Sequence, residues 1–218
     1  MIEEFMFLSL IFGLAFIIFS FLVTKGVFLS IDYSFDQALL FSLTSLLYFI
    51  SRALAFVYVP LSATVVTLIL KFLLKKQNKE AAITAMSFSG AILAEFILKP
   101  FFNILCPQSY YSRFLADQEV FGFLHSVQSI GFFETCYPSS HVASYVVFGG
   151  YLAYLVLKQI TERRTRIILF SIFTTIIVLV GPSRLYLHAH WFSDVIGGYL
   201  LGFALLFLII SLHHKLIH

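Results

Sequence analysis

Apolar residues run in six long blocks along the chain, at Phe5–Val23, Ala53–Leu70, Ala81–Leu98, Val142–Leu157, Ile167–Val180 and Val195–Leu212. Crossing roughly 30 Å of hydrocarbon takes about 20 helical residues at about 1.5 Å of rise each. The blocks approach that length and predict six transmembrane helices, the fifth running on past Val180 toward Arg184. Pro60 is expected to kink the second span, because it removes a backbone donor. Polarity is mixed over Ile31–Ser45, which reads as an outer loop or a helix lying on the interface. The only sizeable polar stretch, Pro100–Tyr137, forms a loop between spans three and four, and loops of that length often carry function.

Composition agrees. The chain is 60% hydrophobic with 27 Phe and only 11% charged, where a soluble domain carries about 25% charged residues. The predicted fold class is therefore all-α, a polytopic bundle of six transmembrane helices forming one domain over residues 1–218. The start, Met1-Ile2-Glu3-Glu4, is acidic and no small-residue cleavage site follows the first block, so the first span is expected to stay as an anchor. No internal repeat is visible. The net charge of +3 comes with no basic run interleaved with aromatics, which argues against nucleic-acid binding.

The basic residues orient the bundle. Lys71, Lys75, Lys76 and Lys79 fall between spans two and three, Lys158, Arg163, Arg164 and Arg166 between spans four and five, and Lys215 after span six. Positive charge gathers on the cytoplasmic side, so both termini are expected in the cytoplasm. Lys25, Arg52, Lys99, Arg113 and Arg184 then face outward.

Three polar clusters consequently share the outer ends of spans three to six: Lys99, then Pro138-Ser139-Ser140-His141, then Ser183-Arg184 with His190-x3-Asp194. Each suits phosphate chemistry. A helix start offers free N–H groups and a positive dipole end to an anion, and Ser139 or Ser140 is a natural cap there. Arg184 can grip phosphate with two parallel hydrogen bonds, and Lys99 adds a point charge. His190 and Asp194 lie four apart, on one helical face. The carboxylate can hold one ring nitrogen as N–H and leave the other to attack phosphorus. His141 is left as proton donor to the leaving oxygen.

In these residues the sequence resembles the type 2 phosphatidic acid phosphatase superfamily, whose motifs are K-x6-R-P, P-S-G-H and S-R-x5-H-x3-D. Here they read Lys99-x6-Cys106-Pro107, Pro138-Ser139-Ser140-His141 and Ser183-Arg184-x5-His190-x3-Asp194. The resemblance covers roughly residues 50–212. It implies a six-helix fold and metal-independent hydrolysis without a cofactor. It also implies phosphate binding by Lys99, Ser139 and Arg184, with Ser140 and Ser183 beside them, and the roles just given to His141, His190 and Asp194. Two positions depart from the pattern. Ser140 stands where the family has glycine, and Cys106 replaces the first motif's arginine. Arg113, seven residues on, is a candidate substitute for that charge.

Other polar residues have plainer readings. Glu95 lies one turn before Lys99, so an i,i+4 bridge is expected to position the lysine or simply to satisfy a charge inside a span. Arg52 reads as an interfacial anchor, His188 as structural, and His213, His214 and His218 as a solvated tail. His125 has no assignment. Cys106 and Cys136 both fall in the outer loop and are expected to pair if that loop faces an oxidising compartment.

The function expected is that of a lipid phosphatase of the cytoplasmic (inner) membrane, with its site on the periplasmic or extracellular face. It would act through a phosphohistidine on a phosphomonoester or diphosphate such as undecaprenyl diphosphate, phosphatidylglycerol phosphate, phosphatidic acid or lipid A 1-phosphate. The partners expected are that lipid and the bilayer, with no obligate protein partner evident. The alternatives are a lipid phosphotransferase using the same site and a non-catalytic lipid-binding relative.

Overall fold

A computed structural model describes residues 2–40, 45–107 and 135–217. These form seven helices: α1 (Ile2–Thr24), α2 (Leu29–Leu40), α3 (Ser45–Leu74), α4 (Asn78–Phe102), α5 (Ser140–Gln159), α6 (Arg163–Tyr186) and α7 (Phe192–Ile217). Every predicted span lies inside one of them, and the described part of the mixed stretch after span one, up to Leu40, is helical and belongs to α2. Four helices, α1, α5, α6 and α7, are long and apolar enough to cross a membrane. The second and third blocks lie within α3 and α4.

Helix α5 is the centre of the bundle. In its apolar window 72% of residues are buried, against 17% in α1 and in α6, because α4, α6 and α7 all pack around it. Val142, Tyr145, Val146, Val147, Phe148 and Tyr151 fill that core. Outward-facing Phe7, Ile17 and Ile18 of α1 are exposed, as a helix surrounded by lipid requires. In lipid the apolar effect does not drive helices together, so close packing and polar contacts must. Tyr145 Oη donates to the Leu54 carbonyl of α3 at 2.5 Å, and Ser9 Oγ of α1 donates to Ala204 O of α7 at 2.8 Å.

The end of α7 corrects one expectation. His213 and His214 are buried rather than solvated, because α7 continues as helix to Ile217 and packs them among aromatic rings. The Tyr151 hydroxyl lies 3.0 Å from His213 Nδ1, and the Phe5 ring stacks on His214. Position at a chain end decided nothing here; the neighbouring helices did. His218, and the loop residues Arg113 and His125, lie outside the described residues, as do the side chains of Arg52 and Glu95.

Candidate active site

Helix α4 delivers Lys99 in its last turn, where a cation complements the negative end of the helix dipole. Asn103 closes the helix in the left-handed conformation (φ 50°), its N–H donating to Lys99 O. The chain then pairs briefly with the segment before α5: Leu105 and Thr135 form an antiparallel bridge, and Cys136 N donates to Ile104 O at 2.8 Å. Cys106 and Cys136 are joined as a disulfide with Cα atoms 4.9 Å apart. The position that carries the family's arginine thus serves as a covalent staple between the end of the first motif and the start of the second. Replacing both cysteines with serine is expected to destabilise the protein by about 3 kcal/mol, from the loop freed in the unfolded chain, and to lower activity only severalfold. Denaturation and turnover of the detergent-purified variant check both; unchanged stability would show that the staple constrains nothing.

Ser139 is the N-cap of α5, in extended backbone (φ −66°, ψ 112°), yet its side chain makes no cap hydrogen bond. Its hydroxyl is buried without a partner, while its N–H donates to Asp194 O at 3.0 Å. A buried hydroxyl left unpaired costs about 1–3 kcal/mol, so a ligand oxygen arriving there is favoured. Ser140 is the first residue of α5 and His141 sits in its first turn. His141 lies within electrostatic reach of Arg184, His190 and Lys99, so the three motifs meet at this helix start.

The third motif is built from the end of α6. Pro182 removes the donor that would reach Val178 O, and the Tyr199 hydroxyl of α7 sits at this gap, 3.1 Å from Val178 O and 2.8 Å from Ile177 O, while accepting from Gly181 N at 3.1 Å. Arg184 follows, buried, with Nη2 3.4 Å from the Ser51 carbonyl of α3. Ser183 donates its hydroxyl to Val180 O at 2.7 Å and lies 3.4 Å from Arg184 Nε. Its proton is therefore used within α6, which places it as support for the guanidinium.

Helix α6 ends in a Schellman turn. His188 N donates to Leu185 O, and Ala189 N donates to Arg184 O, with His188 in the left-handed conformation (φ 52°). Glycine is usual at that position, and a residue with a Cβ costs about 1–2 kcal/mol there. The turn redirects the chain so that His190 lies within electrostatic reach of Arg184. Asp194, in the first turn of α7, accepts from Trp191 N at 2.9 Å. The same oxygen, Oδ2, lies 3.5 Å from His190 Nδ1, too long for a hydrogen bond. His190 Nδ1 and Asp194 Oδ1 have no hydrogen-bond partner. Catalytic contacts of this kind tighten around a bound substrate. Burial first, then the charges of Lys99 and Arg184, hold the His190 imidazole well below its usual pKa, so it is neutral at physiological pH.

Close approach of α5 and α7 brings the second and third motifs together, and glycine permits it. A Cβ on Gly198 would lie 2.8 Å from Ser139 O, and one on Gly202 would lie 2.7 Å from Val146 Cβ. The small-x3-small spacing of Gly198 and Gly202 is the usual signature of tight helix packing in membranes. Cys136, His190 and Asp194 also place donor atoms within 4.8 Å of one another, but the disulfide consumes the Cys136 sulfur, which leaves no thiolate to hold a cation.

Two further carboxylates escaped the reading of the sequence. Asp32 and Asp36 of α2 reach the turn that carries His190, at Ser193 and His188 respectively. The four-residue spacing of two acids in a mixed helix was the available signal.

The family model described as the PAP2 superfamily matches residues 80–218, more than half of the sequence and all three polar clusters. The chain belongs to the PAP2 superfamily. It is similar to a solved structure described as the first transmembrane PAP2 type phosphatidylglycerolphosphate phosphatase from Bacillus subtilis, with a TM-score of 0.74 and 20% identity over 96% of this chain and 98% of that one. That likeness shows a shared transmembrane PAP2 fold and, with the apolar helices, an integral membrane protein. A curated relative, phosphatidylglycerophosphatase B of Bacillus subtilis (strain 168), is 33% identical over 81 residues, which are 37% of this chain and 40% of the relative. The matched region spans less than half the length of that relative.

Proposed function

We propose that this PAP2 protein is a lipid phosphate phosphatase that forms a phosphohistidine on His190, with phosphatidylglycerol phosphate as its preferred substrate. The convergence of His190, His141, Lys99 and Arg184 at one buried helix start, beside the unpartnered Ser139 hydroxyl, carries this reading. The names of the similar Bacillus proteins favour the substrate. We take α3 and α4 as the remaining two spans, for six in all. With the Lys and Arg distribution, that places both termini in the cytoplasm and the site on the outer face of the inner membrane.

The proposed chemistry uses these residues in two steps. The acyl chains stay in lipid while the phosphoryl group enters between Arg184, Lys99 and the start of α5. Asp194 keeps Nδ1 of His190 protonated, so the lone pair on Nε2 attacks phosphorus. As the phosphate dianion offsets the surrounding cations, His141 takes up a proton; the P–O bond to the lipid breaks, and His141 gives that proton to the departing oxygen. His141, now neutral, takes a proton from water; the resulting hydroxide displaces His190 and releases inorganic phosphate. The residues and the proton return to their starting state. Arg184 and Lys99 stabilise the charge on the equatorial oxygens in both steps.

The test is turnover of a panel containing phosphatidylglycerol phosphate, phosphatidic acid, undecaprenyl diphosphate and lipid A 1-phosphate by detergent-purified protein. Free phosphate is expected, released fastest from phosphatidylglycerol phosphate. Label moving only to a second lipid would make the protein a phosphotransferase instead, and no turnover of any member would sink the proposal.

A further inference from the structure

Helix α2 is short, lies outside the spans, and touches the turn around His190 at four places. Asp32 Oδ1 accepts from Ser193 N at 2.8 Å, and Asp32 Oδ2 accepts from Ser193 Oγ at 2.7 Å. Asp36 Oδ1 lies 2.6 Å from His188 Nδ1. Between these polar ends, Phe35 stacks on Phe192 with centroids 4.5 Å apart, and Tyr33 meets Trp191 edge-on at 5.1 Å. Residues 188, 191, 192 and 193 are thus held by residues 36, 33, 35 and 32. His190 stands in the middle of the gripped segment.

We propose that α2 is a clamp, with Asp32 and Asp36 acting through Ser193 and His188 as positioning residues for His190. The proposal rests on the function argued above. Asp32 supplies from another helix the acceptor that the first turn of α7 needs. It is buried, so its two hydrogen bonds hold α7 where Asp194 faces His190. Asp36 grips the one residue of the turn in left-handed backbone, His188, whose conformation its own side chain disfavours. Together they fix both ends of a six-residue segment, residues 188–193, that contains the nucleophile. A reacting nitrogen displaced by about 1 Å loses on the order of 100-fold in rate; a clamp that limits smaller excursions is worth less.

The test uses the full-length protein in detergent with Asp32→Ala and Asp36→Ala, their asparagine counterparts, and Ser34→Ala on the exposed face of α2 as control. Two quantities are read: turnover of phosphatidylglycerol phosphate, and the rate at which diethyl pyrocarbonate modifies His190, followed by peptide mass spectrometry. Each alanine variant is expected to lower kcat about tenfold with KM within about twofold of wild type, and to speed His190 modification about fivefold as the turn loosens. Asparagine keeps an acceptor at each position and should restore most of both; Ser34→Ala should change neither. Wild-type labelling and kcat in both alanine variants would overturn the clamp, as would a fall in kcat explained wholly by loss of folded protein on melting. Should alanine at the buried position 32 prevent folding, Asp36→Ala, at the more exposed end, decides. If wild type releases no phosphate while the labelling responds as stated, the proposed function falls and the clamp stands.

Discussion

His190→Ala is expected to lower phosphate release by roughly four to six orders of magnitude, the scale seen when a covalent nucleophile is removed from a preorganised site. The loss should fall on kcat. In the proposed mechanism Lys99, Arg184 and the start of α5 hold the phosphoryl group independently of the imidazole, so KM should change little. The neutral state of the imidazole gives this prediction its edge. A protonated histidine could act only as acid or electrostatic partner, whereas burial and the two nearby cations keep His190 uncharged and its lone pair available. Chemical trapping provides the check. Acid-labile, alkali-stable label from a radioactive lipid phosphate should appear on wild-type protein and vanish in the variant. Substantial turnover in His190→Ala would remove the covalent route through His190.

Much of this architecture was legible because lipid imposes a blunt rule on sequence: a span must be long and apolar, and all six such blocks lie within helices. The candidate site residues were picked out by types and spacing that phosphate chemistry demands, and the disulfide by two cysteines sharing the stretch between the third and fourth apolar blocks. What the sequence hid was decided by packing between distant elements. Helix α2 carries Asp32 and Asp36 on the side that meets the protein, so its buried face is marked by acids rather than by the apolar stripe that usually betrays one. His213 and His214 looked like a solvated end because nothing local says that Tyr151, Tyr154 and Phe5 will surround them. Ser183 matched a motif, yet its hydroxyl turned to the Val180 carbonyl, a bond its own helix geometry offers. The glycines of α7 carry a small-x3-small spacing in the sequence, but which helix they admit is decided only when a partner is placed against them.

Those glycines carry the second large effect. Gly198→Ala is expected to reduce kcat about 100-fold, and Gly198→Leu to prevent a competent fold altogether. The added Cβ would meet Ser139 O at 2.8 Å and Val142 Cβ at 3.0 Å. The first obstacle is backbone, so no rotamer change relieves it and α5 must move away from α7. Overpacking of this kind typically costs 1–3 kcal/mol, a loss visible as a lowered melting temperature. The activity loss should exceed what that destabilisation explains, because Ser139 is both the blocked residue and the cap at the proposed phosphate position. Its N–H bonds to Asp194 O, so pushing the helices apart separates His141 from His190 directly. Gly202→Ala tests the distinction. Its Cβ would strike Val146 Cβ at 2.7 Å, one turn deeper and away from the motifs, so stability should fall comparably while kcat falls far less. Equal losses of kcat in the two variants would mean that general loosening of the bundle, rather than the register of the two helix starts, sets the rate.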